Sequence, residues 1–432
     1  MTGVPPPNRG SQPPLHAVLP PLILGTATFN TQYVTDPHSM PYRDIVVRAI
    51  ELGVNAFDTS PYYGPSEILL GTALNELMNP VPSASNPNPA PLQRSSFTVI
   101  TKAGRIGSEE FDYSPAHVRY SVLRSLQRLH TSYLDVVYMH DTEFVSPEEV
   151  ILAVRELRRL RDEEGLVRYV GISGFPVDVL CDLALKVYTE TGEPLDAVLS
   201  YGHFTVQNRM LALSSVENTT GNNASRLSKL KQAGVDVVLN ASILGMGLLT
   251  TRGIPEDPES TGPDGGNPLA KWHPSPPGLR RVCKELAGIA EAAGEHLESV
   301  AIRWSLEEWA RAGAAAGVSM TSPVPNSHAP QRIGVTVCGV STKTELEETV
   351  KEWREVEAGL QTMKEDSVYS SPRQEKILKL VRDEMWPALG EWKDYVWASP
   401  DPGFANKRRP EDMGWVPNDD VLSSHELKRV AK

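Results

Sequence analysis

Short apolar runs rich in β-branched side chains alternate along the chain with longer stretches of helical period. Eight such runs stand out: Leu22–Thr28, Asn55–Thr59, Phe97–Thr101, Asp135–His140, Tyr169–Ser173, Ala197–Tyr201, Asp236–Asn240 and Val335–Val340. A strand covered on both faces is apolar throughout, so this alternation is the pattern of βα units on a parallel sheet. Eight units in succession predict an α/β fold of the closed (β/α)8, TIM-barrel type. The intervening helices carry their own punctuation. Ser114 followed by Pro115 reads as an N-cap with proline in the first turn, after which Val122, Leu126 and Leu129 share a face. Ser146-Pro147-Glu148-Glu149 reads as a capping box ahead of Val150, Val154 and Leu157, with Gly165 as the stop.

The alternation covers residues 20–358, the predicted barrel. Residues 1–19 are Pro-rich with little to pack and predict a disordered leader. Residues 359–432 mix charged and aromatic segments, and Trp386, Trp392, Trp397 and Trp415 carry too much apolar surface to leave in water, which predicts an extension packed on the barrel. Asn79–Ser96, Ser214–Arg226, Gly253–Gly278 and Ala312–Arg332 are rich in Pro, Gly, Ser, Thr and Asn and read as long loops, while Glu345–Gly359 reads as a helix. The third loop follows the seventh strand. Its Trp272 and His273 offer an aromatic and a polar tip to a substrate, or pack down on the barrel.

Composition narrows the function. With 432 residues and 40% hydrophobic content the chain can bury a large core, and a formal net charge of −12 without any dense Lys/Arg run excludes nucleic acid as a partner. No apolar run approaches the roughly 18 residues of a membrane span, and the N-terminus lacks the charged-then-apolar order of a secretory signal, so a cytoplasmic protein with a small-molecule substrate is expected. Cys181, Cys283 and Cys338 are far apart and show no metal-ligand spacing, which reads as three reduced structural thiols and no metal site.

In a (β/α)8 barrel the C-terminal ends of the strands converge on one face. Asp58, Lys102 and His140 close the second, third and fourth predicted strands, and Tyr63 lies in the turn after the second, so the four can meet in one pocket. Their types suit proton transfer. A free phenol titrates near about pH 10 and is a poor base at neutrality, but a Lys102 ammonium beside Tyr63 favours tyrosinate, and Asp58 would keep that ammonium charged and fixed. His140 can hold the reacting oxygen. Taken singly, a strand-end Asp or Lys also serves as a structural ion pair and a lone His as a satisfied core residue.

The stretch Phe57-Asp58-Thr59, Tyr63-Gly64 and Ser66-Glu67, with the strand ends at Lys102 and His140, resembles the aldo-keto reductases over roughly residues 20–355. The resemblance implies that Asp58, Tyr63, Lys102 and His140 are the catalytic four, and that a nicotinamide dinucleotide binds without a Rossmann domain. It places Gly25, Thr26, Ser173, Gly174, Tyr201, Ser242, Leu244, Gly245, Gly339, Ser341, Glu345 and Glu348 around that cofactor, and Tyr62, Trp272 and His273 around the substrate. The chain departs from the common pattern at Gly174, where the family usually has Asn, at Tyr201, where Gln is common, and at Ala241, in place of a ring-stacking Tyr. With these departures, Gly171-Ile172-Ser173-Gly174-Phe175-Pro176, Leu199-Ser200-Tyr201 and Asn240-Ala241-Ser242 resemble the D-arabinose and L-galactose dehydrogenase branch, which oxidises an aldose at C1 to the lactone with NAD. Glu345 would repel the 2′-phosphate of NADP and accept from the free 2′-hydroxyl of NAD; it also reads as a solvated helix-start carboxylate, and nearby Lys343 would favour the phosphate. NAD is therefore expected, with NADP the alternative. An NADPH-dependent carbonyl reductase and a non-catalytic binding subunit stay open as further readings.

Overall fold

The computed structural model describes residues 12–82, 87–213, 225–257, 267–322, 331–362, 369–422 and 425. The first eleven residues of the expected leader, and parts of the four expected loops, lie outside them. The strands are β1 (Leu22–Gly25), β2 (Ala56–Asp58), β3 (Thr98–Ala103), β4 (Leu134–His140), β5 (Val167–Gly174), β6 (Ala197–Tyr201), β7 (Val237–Ala241), β8 (Met320–Ser322), β9 (Gln331–Ile333) and β10 (Val335–Gly339). Eight of them close a barrel in the order β1-β10-β7-β6-β5-β4-β3-β2, all parallel, as the eight apolar runs predict. The helices are α1 (Tyr42–Glu51), α2 (Ser66–Met78), α3 (Pro115–Arg128), α4 (Pro147–Asp162), α5 (Val177–Thr191), α6 (Arg226–Gln232), α7 (Pro277–Ala292), α8 (Leu297–Ala316), α9 (Lys343–Thr362) and α10 (Pro372–Leu380). The caps form where expected: Ser114 accepts from the His117 N–H, and Ser146 with Glu149 makes a reciprocal capping box.

Register positions the site. Residues paired across parallel strands share a face, and side chains alternate along each strand. Gly25 pairs with both Asp58 and Gly339, Lys102 pairs with Tyr138 two residues before His140, and His140 pairs with Ser173. The last inward positions of successive strands thus fall at one mouth.

One expected loop and the expected leader depart from expectation. Ala312–Ala316 continues α8, because alanine is the best helix former, and Gly317 ends the helix in the left-handed conformation. Beyond it β8 and β9 pair antiparallel, Met320 with Ile333 and Ser322 with Gln331. Residues 12–19 are packed rather than disordered. Leu15 and Leu19 are buried, Pro13 accepts from the Tyr169 hydroxyl at 2.6 Å, and His16 meets Asp236 at 2.6 Å, so the few apolar side chains of this segment find the floor of the barrel.

The chain beyond α9 docks α10 through Ile377, then Val381, Met385 and Leu389, and runs over the barrel mouth. Gln207 and Asn208 donate to the carbonyls of Trp392 and Tyr395, Arg209 pairs with Asp394, and Trp386 donates to the Val206 carbonyl. Farther on, Trp397 stacks on Phe175 at 4.8 Å, Phe404 sits edge-on to Phe111 and Phe144, and Arg408 reaches Asp112. Three of the four tryptophans pack as expected; Trp415 does not, being 60% exposed. Among the described residues no helix is long and apolar enough to cross a membrane, and no cluster of His, Cys, Asp and Glu is placed to hold a metal. The three cysteines are buried free thiols.

Candidate active site

Asp58, Tyr63, Lys102 and His140 meet at the mouth. Lys102 Nζ donates to Asp58 Oδ1 at 2.6 Å and to the Thr59 carbonyl at 3.0 Å, and both side chains of the pair are buried. The same ammonium stands 4.7 Å from the centroid of the Tyr63 ring, which meets the His140 ring edge-on at 5.6 Å. One line of contacts therefore runs Asp58, Lys102, Tyr63, His140.

Burial opposes the Lys102 charge, but Asp58 and Tyr63 outweigh it and push the ammonium up to about 12. Tyr63 departs from expectation. Burial raises its phenol above the ordinary value; Lys102 pulls it down as foreseen, but Asp58 and Asp141 add to the burial and the net direction is upward. Near neutral pH Tyr63 is therefore a phenol, not a tyrosinate. Burial pushes His140 down to about 3, so the imidazole is neutral at physiological pH.

The tautomer follows from the neighbours of the ring. Ser60 Oγ accepts from the Tyr62 N–H at 3.1 Å and lies 3.0 Å from His140 Nδ1. The hydroxyl keeps a second lone pair and can meet either tautomer, so the choice falls to the neighbouring Asp141 carboxylate. Nε2 lies 3.7 Å from Asp141 Oδ2, a placement that favours a proton there.

Ser60, Arg105, Asp141 and Glu143 were not among the expected site residues, although each lies within three residues of one. Asp141 has left-handed backbone (φ 57°, ψ 63°), a conformation in which Asp is tolerated at some cost. Its carboxylate pairs with Arg105, whose guanidinium lies 3.8 Å over the Tyr62 ring and donates to the Tyr62 hydroxyl at 3.1 Å. Asp58 Oδ2, Asp141 Oδ1 and Glu143 Oε2 are buried without a protein partner among the described residues. Buried polar atoms are nearly always satisfied, so the orphaned oxygen of Asp141 beside His140, and those of Asp58 and Glu143, are open to water or to a polar ligand.

The expected cofactor positions fall on the same rim. Gly25 and Gly339 face each other with no side chain between them, and a Cβ on Gly339 would meet Thr28 Cγ2 at 3.2 Å. Ser173 contacts the Met139 carbonyl at 3.3 Å, Gly174 ends β5, and Tyr201 ends β6 tilted against Phe175. After β7, Ser242, Gly245 and Met246 have positive φ, so the chain past Leu244 curls tightly over the rim. These glycines leave backbone at the rim close to the unpartnered polar atoms, the kind of surface a dinucleotide would lie along. Thr26 is spent internally, donating to the Asp58 carbonyl and accepting from Ser66. Glu345 accepts from the Ser341 N–H at 2.7 Å and from its hydroxyl, closing the start of α9, with Glu348 exposed one turn on. Trp272 donates to the Gln32 carbonyl at 2.7 Å and sits edge-on to Tyr33, tying two rim loops together. His273 is buried with both ring nitrogens on backbone, Nε2 to the Gly245 carbonyl and Nδ1 to the Ser275 N–H, so it braces the β7 loop instead of presenting a polar tip.

The sequence signature of the Aldo/keto reductase family matches residues 21–359. The D-arabinose 1-dehydrogenase of Saccharomyces cerevisiae is 40% identical over 299 residues, 69% of this chain and 78% of that one. The L-galactose dehydrogenase of Arabidopsis thaliana is 34% identical over 282 residues, 65% of this chain and 74% of that one. Among solved structures, the glycerol dehydrogenase of Gluconobacter oxydans shares the fold at a TM-score of 0.52 and 19% identity, covering 91% of this chain and 98% of that one.

Proposed function

Because the chain belongs to the aldo/keto reductase family, we propose that it oxidises an aldose, D-arabinose or a near relative such as L-galactose or L-fucose, at C1 to the 1,4-lactone with NAD. The observation that carries this reading is the line Asp58, Lys102, Tyr63, His140, which ends on a neutral imidazole with its N–H outward. The relatives named above supply the substrate class.

His140 Nε2–H donates to the oxygen on the reacting carbon and orients it. Tyr63 takes the hydroxyl proton once its own phenol has ionised, and Lys102, charged at all working pH, stabilises the phenolate so formed. When bound, the nicotinamide supplies the hydride acceptor. Arg105, Asp141 and Tyr62 make a wall of donors and acceptors beside His140, suited to a substrate with several hydroxyls and superfluous for a plain aldehyde. Gly25, Ser173, Gly174, Tyr201, Ser242 and Gly339 are the groups proposed to hold the cofactor along the rim. The Glu345 carboxylate over Ser341 favours NAD, since a 2′-phosphate there would face a like charge.

One observation favours a second reading, NADPH-dependent reduction of an aldehyde or ketone on the same site: the buried phenol of Tyr63 already carries the proton a nascent alkoxide needs. Initial rates with D-arabinose, L-galactose, L-fucose and simple aldehydes, each with NAD and NADP and in both directions, separate the two. Faster aldose oxidation with NAD is expected. Aldehyde reduction as the only measurable reaction would transfer the protein to the second reading.

A further inference from the structure

Beyond Ser399 the extension meets the turn that follows β3. Phe404, Asn406 and Arg408 are half-buried, while Ala405, Lys407 and Arg409 are exposed, the two-residue period of an extended strand. The Asn406 carboxamide takes up both backbone groups of Phe111, accepting from its N–H at 3.0 Å and donating to its carbonyl at 2.8 Å, as the peptide of a neighbouring strand would. Next to it the Lys407 N–H donates to the Glu109 carbonyl at 2.8 Å, and Arg408 pairs with Glu110 and with buried Asp112. The other arm of the same turn carries Arg105. Arg105 is bridged antiparallel to Phe111, the Ile106 N–H donates to the Glu110 carbonyl at 2.9 Å, and the Asp112 N–H donates to the Gly104 carbonyl at 2.8 Å. The guanidinium folds back on its own turn, donating to the Gly107 carbonyl at 3.2 Å and the Ser108 carbonyl at 3.3 Å, while it reaches Asp141 and the Tyr62 hydroxyl. It lies 5.4 Å from the centre of the Phe111 ring and 5.6 Å from that of Phe144, the stacked pair that Phe404 meets edge-on.

We infer that Phe404 and Asn406 are positioning residues of the substrate site, bracing the turn so that Arg105 stays locked on Asp141 and Tyr62 and that wall stands ready for the hydroxyls of a sugar. This rests on the aldose reading above. Surface turns with few contacts of their own open at little cost, and the bonds from Asn406 and Lys407 are what holds this one from outside. Apparent affinity scales with the fraction of molecules already in the binding arrangement, so an Arg105 in place only about a tenth of the time would weaken sugar binding about tenfold. The chemical step is spared. Asp58, Lys102 and His140 stand on β2, β3 and β4 with Tyr63 in the turn after β2, and the contacts that join the four do not pass through residues 404–408.

Initial rates with the aldose oxidised fastest give KM and kcat for wild type, Asn406→Ala, Arg105→Lys and the double variant, with NAD affinity read by tryptophan fluorescence. Arg105→Lys keeps a charge beside Asp141 but loses the planar fork. Expected for Asn406→Ala is a KM about tenfold higher, with kcat and NAD affinity within about twofold of wild type. Adding Asn406→Ala to Arg105→Lys should change KM by less than about twofold, because the asparagine acts through that fork, whereas residues acting independently would multiply their effects. Phe404→Leu, which keeps an apolar side chain but removes the edge-on ring, should raise KM about threefold and carries the test if Asn406→Ala does not fold. An unchanged KM in Asn406→Ala and Phe404→Leu, or the same rise from Asn406→Ala in both backgrounds, would overturn the inference and leave aldose oxidation standing. A wild type that oxidises no aldose would overturn both.

Discussion

Tyr63 sits between opposing fields. Lys102 favours its ionised form, while burial, Asp58 and Asp141 favour the phenol and prevail. Tyr63→Phe removes the proton-transfer group and leaves the rim intact, so the rate should fall about 100-fold or more while dinucleotide affinity measured by fluorescence stays near wild type. A variant keeping over a tenth of the wild-type rate would take Tyr63 out of that role. Sugar oxidation needs the phenolate, so its rate should rise with pH toward the alkaline side. Removing the Lys102 charge in Lys102→Met raises the phenol further, and the alkaline limb should move to higher pH or leave the accessible range. An unmoved limb in the variant would break the proposed coupling. Asp58, Tyr63, Lys102 and His140 were legible as neighbours because each closes a strand or turn in a stretch of distinctive sequence. Ser60, Arg105 and Asp141 were not, since their places depend on a ring nitrogen and a left-handed backbone that no spacing encodes.

At the scale of elements, the start of α9 is the segment proposed to decide cofactor choice. Glu345 caps its own helix through Ser341, and Glu345→Arg replaces a carboxylate by a guanidinium suited to a phosphate. NAD should have the higher kcat/KM in wild type and the gap should narrow in the variant; wild-type preference for NADP would refute the charge argument. Helix packing gives a second case. A Cβ on Gly71 of α2 would come 2.0 Å from the Arg128 carbonyl at the end of α3, a backbone atom that cannot step aside. Gly71→Ala gains up to about 1 kcal/mol of helix propensity, but the overpacking costs about 1–3 kcal/mol and more when backbone must move, so urea unfolding should show a net loss. The eight barrel strands were readable because burial on both faces demands unbroken apolar runs. The hairpin β8–β9 and the end of α8 were hidden by a Gly-, Ser- and Ala-rich composition that looks like loop, and residues 12–19 were hidden because two leucines suffice to dock them.

For the molecule as a whole, the extension is a strap over the mouth. Removing residues 399–432 deletes the Ser399 bond to Glu143, Phe404 from its cluster with Phe111 and Phe144, and the Arg408 contact to buried Asp112. The barrel register does not depend on these contacts, so the shortened chain should keep its far-UV circular dichroism while Tm falls by about 2 °C or more. A truncated chain melting with the full-length one would show the strap to be energetically idle. The strap also sets an order of events during synthesis. Glu143 and Ser399 are 256 residues apart, and at about 5–20 residues per second the ribosome needs roughly 10–50 s to bring the second after the first. The last barrel strand is made only at Gly339, and from there until Ser399 emerges the β4 and β5 rim, with Phe111, Phe144 and Phe175, waits uncovered. The newborn protein passes through a stage with an open aromatic mouth, and the arrival of the segment from Ser399 onward decides when that stage ends.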